Sequence, residues 1–161
     1  MARGRMLNQS YSEDKLLAEL VDESGTSAAL IYLGLIPFQD REGRLHGDPR
    51  VLKGRCWPRA DSITTDTIRA ALEACSEKQL LIWYEVEGER YVCFPNFGKN
   101  QPNAQLSREA ASTIPPPPAD LTERWRKPRM EVLDAPASSY MQSHVTDTQL
   151  DAEEKRREVK R

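Results

Sequence analysis

The periodic placement of apolar residues in this chain stops at Asn96-Phe97-Gly98-Lys99-Asn100-Gln101-Pro102, and that boundary constrains the fold more than any other feature. Before it, apolar residues recur at helical and strand spacings. After it come Pro115-Pro116-Pro117-Pro118, further prolines at 128 and 136, and stretches rich in Ser, Thr and Gln. The core must therefore come from residues 1–101, which suffice for a small one. Hydrophobic residues make up only 39% of the chain and mean hydropathy is -0.67, as expected when part of a chain has no core. Residues 102–146 read as a Pro-rich linker, stiff at the proline run and mostly disordered elsewhere. Leu121, Trp125 and Leu133 interrupt it, either docking on a surface or standing alone in solvent. Residues 147–161 read as a short, charged, helix-prone tail with acid-before-base pairs four apart, Asp151 to Lys155 and Glu153 to Arg157. Its few apolar residues suit a frayed, solvated helix.

Within 1–101 the elements follow from local chemistry. Ser12 is expected to cap a helix that opens with Glu13 and Asp14 and carries Leu16, Leu17 and Leu20 on one side. A second helix, Ser27 to Ile36, is apolar nearly all round and should be central. Arg44-Leu45-His46 reads as a short strand. Asp48-Pro49 starts a third helix, with Asp48 as cap and Pro49 in the first turn, and Pro58 ends it. Thr64-Thr65-Asp66 caps a fourth helix whose Ile68, Ala71, Leu72 and Cys75 share one face. Two β-rich runs flank Glu87-Gly88. A two-residue turn there pairs Val86 with Glu89, Glu85 with Arg90, Tyr84 with Tyr91 and Trp83 with Val92. The expected fold is mainly α with a small β-hairpin (α+β). It is a winged helix-turn-helix with an extra N-terminal helix, followed by the Pro-rich tail.

Three parts of this sequence taken together resemble a known family. They are Met1-Ala2-Arg3-Gly4-Arg5-Met6-Leu7, Gly43-Arg44-Leu45-His46-Gly47-Asp48-Pro49, and Leu80 to Phe97 with Ile82-Trp83-Tyr84 and Gly88. Over residues 1–101 the chain resembles the N-terminal domain of bacteriophage replisome organisers, replication-initiation proteins related to the DnaD-type primosome family. The resemblance implies a winged helix that binds DNA or self-associates while a replication complex assembles in the bacterial host cytoplasm. Host or phage replication proteins are its implied partners. Members often carry a second helical domain with a Tyr-x-x-x-Ile-x-x-x-Trp motif, which residues 102–161 lack.

Charge limits how DNA could be held. Lys plus Arg is 23 and Asp plus Glu 25, so neither a basic coat nor an acidic mimic of DNA fits. Affinity would have to come from a local cluster of cations against phosphates. Arg50, Lys53, Arg55 and Arg59 form the densest basic stretch, with no acid between Pro49 and Ala60. Arg3 and Arg5 could reach DNA as an arm, or could belong to a solvated terminus. The fourth helix, which would enter the major groove, offers Thr64, Thr65, Arg69 and Lys78 against Asp66, Glu73 and Glu77. Lys99 lies just beyond the hairpin. Glu85, Glu87 and Glu89 make the hairpin tip repel phosphate, and Arg90 should be spent on Glu85. Trp57 and Trp83 are expected in or beside the core.

Nothing points to catalysis or to a cofactor. His46 and His144 lie in different halves, no zinc spacing exists, and the glycines form no phosphate loop. Cys56, Cys75 and Cys93 fall on apolar faces and suit a reducing compartment as buried thiols. No apolar run approaches a membrane span. The expected function is therefore duplex DNA binding in a phage replication system, without an enzymatic activity, a metal or a small-molecule substrate. The alternative is a protein–protein assembly module or a transcriptional regulator using the same winged helix.

Overall fold

The structure is a computed structural model, and it describes residues 5–102 and 106–126. Arg3, Leu133, His144 and the expected tail 147–161 lie outside the described residues. The described residues form six α-helices and one three-stranded antiparallel sheet.

The first helix, α1 (Lys15–Ser24), begins two residues later than expected. Its cap is Asp14, whose carboxylate accepts from the backbone N–H groups of Leu16 and Leu17. Ser12 instead sits in a 3-10 turn, Gln9–Glu13, and its hydroxyl donates to the Gln9 carbonyl. A carboxylate at the positive end of a helix outcompetes a hydroxyl two residues earlier. Gly25, at φ 83, ends α1 and admits α2 (Thr26–Leu35). As expected, α2 is central: it buries Ala28, Ala29, Ile31, Tyr32 and Leu35 and packs against α1. It is not covered all round, because Leu30 is 56% exposed.

Strand β1 (Arg44–His46) and helix α3 (Pro49–Cys56) follow as the sequence suggests, with the Asp48 carboxylate accepting from the Arg50 N–H. Helix α4 (Thr65–Glu77) is capped by Thr64 and buries Ile68, Ala71, Leu72 and Cys75 against α2. It closes through Gln79, at φ 59, where the Leu80 N–H reaches back to the Cys75 carbonyl. Strands β2 (Ile82–Val86) and β3 (Glu89–Cys93) pair in the register read from the turn, Tyr84 opposite Tyr91 and Glu85 opposite Arg90. Glu87 and Gly88 both have positive φ, the twist-matched geometry of a two-residue hairpin. β1 pairs with β3, so the strand order is β1-β3-β2. Gly47 is required beside β3, since a Cβ there would lie 2.6 Å from the Tyr91 carbonyl carbon.

The sheet has two apolar faces. Leu45 and Val92 point into the main core with α1, α2 and α4. Ile82, Tyr84 and Cys93 point outward and form a second cluster. Residues 106–126, read from sequence as part of a mostly disordered linker, follow a defined path across that outward face. After a short helix, α5 (Phe97–Asn100), the chain passes Glu109 and the prolines and enters α6 (Ala119–Arg126). Leu121 and Trp125, one helical turn apart, pack on the outward cluster. The Tyr84 hydroxyl donates to the Pro115 carbonyl at 2.6 Å, and the Trp125 indole N–H donates to the Gln79 carbonyl at 2.8 Å. The physical reason is the hairpin's outward face, which is too apolar to be left in water.

Candidate nucleic-acid interface

Helix α3 is short and two-sided. Pro49 and Leu52 are buried, while Arg50, Val51, Gly54 and Arg55 are exposed on the other side, followed by exposed Arg59 in the next turn. No described carboxylate pairs with Arg50, Arg55 or Arg59. The Arg55 guanidinium lies over the Phe38 ring, 5.5 Å from its centroid, a stacking that leaves its edge free for an anion. Phe38 comes from the turn after α2, and nothing in the local sequence marks it as the platform for Arg55. Trp57 folds back onto Gly34, whose Cβ position lies 2.5 Å from the indole ring, so it belongs beside the core.

The fourth cation of the run, Lys53, does not stand with the other three. Its ammonium donates to the Trp57 carbonyl at 2.7 Å and the Ala60 carbonyl at 2.6 Å, closing the end of α3. It adds positive potential to the patch without being free to grip a phosphate. Asp48 and the exposed Asp61 bound the patch on either side.

Several other sequence candidates are committed elsewhere. Arg5 is not an arm. Its side chain is 2% exposed, makes two hydrogen bonds to the Glu109 carboxylate at 2.8 and 2.7 Å, and stacks over Phe97. Those hydrogen bonds hold the Glu109 carboxyl below its ordinary range. Lys78 is buried and bridges α4 to α1, 3.6 Å from Glu19 and 2.5 Å from Glu23. The Thr64 hydroxyl caps α4 and pairs with the Thr67 hydroxyl. Thr65 is half-buried in the first turn of α4, and Lys99 is exposed on α5, beyond Phe97 and Arg5. For Arg5 and Lys78 the cause is the same: the partner lies on another element and leaves no trace in local spacing.

Arg69 is exposed on α4, but Asp66, Glu73 and Glu77 share its solvent stripe. It also borders a shallow groove with Glu73, Glu85 and Arg90. The hairpin tip presents Glu85, Glu87 and Glu89 to solvent, and Arg90 is held, as expected, by Glu85 at 3.6 Å; it also lies over the Trp83 ring. Burial pushes the Cys56 and Cys93 thiols up to about 11 and the Cys75 thiol up to about 12. All three are protonated at neutral pH; Cys75 and Cys93 are buried and Cys56 is half-buried against the core.

Among the described residues no group of three or more His, Cys, Asp or Glu side chains could hold a metal ion. No described helix is long and apolar enough to cross a membrane. Compared with known proteins, the chain matches no family model, no curated protein and no solved structure.

Proposed function

We propose that residues 26–93 are a winged helix-turn-helix that holds duplex DNA by its phosphates, through α3, without reading sequence, in a phage-type replication system. The order α2, β1, α3, α4, β2, β3 and the strand order β1-β3-β2 support the fold reading. One observation carries the DNA reading. Residues 49–60 contain no carboxylate, and Arg50, Arg55 and Arg59 stay exposed and unpaired among the described residues. The replication setting rests on the resemblance of residues 1–101 to phage replisome organisers.

The mode differs from insertion of α4 into the major groove. Three carboxylates on the exposed stripe of α4 oppose phosphate, so α4 stands off and α3 lies along the backbone. Three phosphate contacts imply weak binding whose affinity falls with salt at a logarithmic slope of about -3. The test is a salt titration of duplex DNA binding by the full chain. The expected result is a slope near that value with little dependence on sequence. Affinity that does not change between 50 and 200 mM salt, or that discriminates strongly between sequences, rejects this mode.

A second reading has its own support. Asp66, Glu73 and Glu77 on α4 and Glu85, Glu87 and Glu89 on the hairpin are all exposed, an arrangement suited to a basic protein partner. In that reading the chain is an assembly module, and its winged helix makes protein contacts. A concentration-dependent oligomer lost on removing residues 1–20 supports it, whereas a monomer that binds DNA at every concentration excludes it.

A further inference from the structure

The outward face of the sheet is covered by the thin segment that runs through Pro115 into α6. Ile82, Tyr84 and Cys93 are each less than one-tenth exposed there, and α6 is the helix that packs over them among the described residues. α6 has eight residues, too few to be stable in water unaided. It anchors itself with Leu121 and Trp125, both only half-buried. Among the described residues, these two side chains and the Trp125 hydrogen bond to the Gln79 carbonyl are what hold α6 to the sheet.

The groove is also larger than α6 needs. A cleft of about 240 Å³ remains beside it, walled by Ser76, Glu77, Leu81, Trp83, Leu121 and Trp125. Its polar fixture is the Gln79 carbonyl, turned outward by the left-handed end of α4 and satisfied here by the Trp125 indole. Glu77 supplies a negative rim.

We propose that this face is a docking surface for an amphipathic helix of a partner protein, and that α6 holds it in cis as a weak resident competitor. The partner helix carries a Trp to donate to the Gln79 carbonyl, basic residues beside it, and one turn away an apolar side chain bulkier than Leu121. A second copy of this chain is the poorer occupant. It brings the same α6, leaves the same cleft open, and must compete with a tethered helix whose effective concentration is in the millimolar range. Pro115 to Pro118 form a stiff spacer that keeps α6 close to its site. Docking at this face is independent of DNA binding, which uses α3.

The test uses the full chain and its Leu121→Ala/Trp125→Ala variant. The probes are two fluorescein-labelled peptides of residues 116–127, one native and one with Leu121→Phe, followed by anisotropy. The variant is expected to bind the native peptide at least about 10-fold tighter than the wild-type chain does, because the cis competitor is gone. The Phe peptide is expected to bind the variant about 3- to 10-fold tighter than the native peptide, because it fills the cleft. In parallel, alkylation of Cys93 is expected to speed up about 10-fold in the variant and to slow again when peptide is added, with Cys75 in the main core unchanged. Should the double substitution also open Cys75, the single Leu121→Ala chain takes its place with the same expectations. Equal binding of the native peptide to both chains, no advantage for Phe, or an unchanged Cys93 rate overturns the proposal. A wild-type dimer that dissociates in the double variant overturns it too, by assigning the face to a second copy.

Discussion

Helices α3 and α4 are neighbours that handle charge in opposite ways. α3 leaves Arg50 and Arg55 in solvent, and Arg59 just after it, with no carboxylate from 49 to 60. α4 is longer and better packed, yet its exposed stripe sets Arg69 among Asp66, Glu73 and Glu77, and Lys78 at its end is consumed by α1. The lesson is that cations counted along a sequence are not cations available to a ligand. Availability depends on azimuth and on what the neighbouring elements bring. A helix that is better placed by topology can be worse placed by charge.

The largest expected effect tests this contrast directly. Arg50→Glu/Arg55→Glu/Arg59→Glu should lower duplex affinity on the order of 100-fold or more at low salt, because each charge-assisted hydrogen bond to phosphate is worth at least about 1 kcal/mol. Arg69→Ala should change it less than about 2-fold, since acids already offset that charge. Filter binding of one duplex at fixed salt measures both. An Arg69 effect equal to that of the α3 triple variant would erase the distinction between the helices.

Next in size is Arg5, a cation the contrast counts as spent. Arg5→Met should cost about 2 kcal/mol of stability in denaturant unfolding, with unchanged DNA affinity. Buried as it is, the guanidinium contributes to folding and not to the surface field. The pair also has a pH signature. The folded-state value of Glu109 lies below its unfolded value of about 4.3, so the stabilisation is fully present above that pH. It is lost as pH falls through the lowered folded-state value. Wild-type stability should therefore drop more steeply than that of Arg5→Met between about pH 5 and pH 3. Parallel profiles would show that the Arg5–Glu109 pair contributes nothing.

A smaller effect probes the two helices from the other side. Removing the α4 acids with Asp66→Asn/Glu73→Gln/Glu77→Gln should raise DNA affinity about 3- to 10-fold and make the salt dependence steeper. Asp66 stands in the first turn of α4, so about 0.5 kcal/mol of stability should be lost with it. If affinity does not move, DNA lies more than a Debye length from α4, and the α3 surface alone defines the complex.

What could be read in the sequence was local. The Glu87-Gly88 turn set the hairpin register, because two residues of loop leave one pairing that matches charges and aromatics. Asp48-Pro49 and the stripe Ile68, Ala71, Leu72, Cys75 marked α3 and α4 for the same reason. Ser12 and Asp14 were two nearby acceptors in competition, and spacing could not rank them. The site was less legible. Arg5 finds its partner 104 residues away, and Lys78 finds its partners on the first helix. The folding of 106–126 onto the sheet was hidden for a related reason. Leu121 and Trp125 carry its apolar contacts, and two apolar residues four apart in a Pro-rich stretch do not distinguish a docked helix from a loose one; its other anchors, from Arg5, Arg44 and Tyr84, come from distant elements. Docking follows from the apolar outward face of the hairpin, which is visible only once strand pairing sets which side chains point out.

Lys78 provides the smallest and cleanest separation of spent from available charge. Its side chain is 10% exposed, so it has lost most of its hydration, and it stands at the C-terminal end of α4, where a cation is favoured. Against that, Glu23 is 62% exposed and Glu19 35%, so both carboxylates hydrate readily if the lysine is removed. The net value of the bridge is then about 1 kcal/mol rather than the several expected of a fully buried pair. Lys78→Met keeps the apolar stem against the core and removes only the charge. The expected result is a loss of about 1 kcal/mol in denaturant unfolding and no change in duplex affinity or in its salt slope. Because Lys78 and Arg50 carry the same charge, total charge cannot account for one acting only on stability and the other only on binding. If Lys78→Met weakens DNA binding as much as Arg50→Ala, the chain attracts DNA through its overall field, and α3 has no special place in the interface.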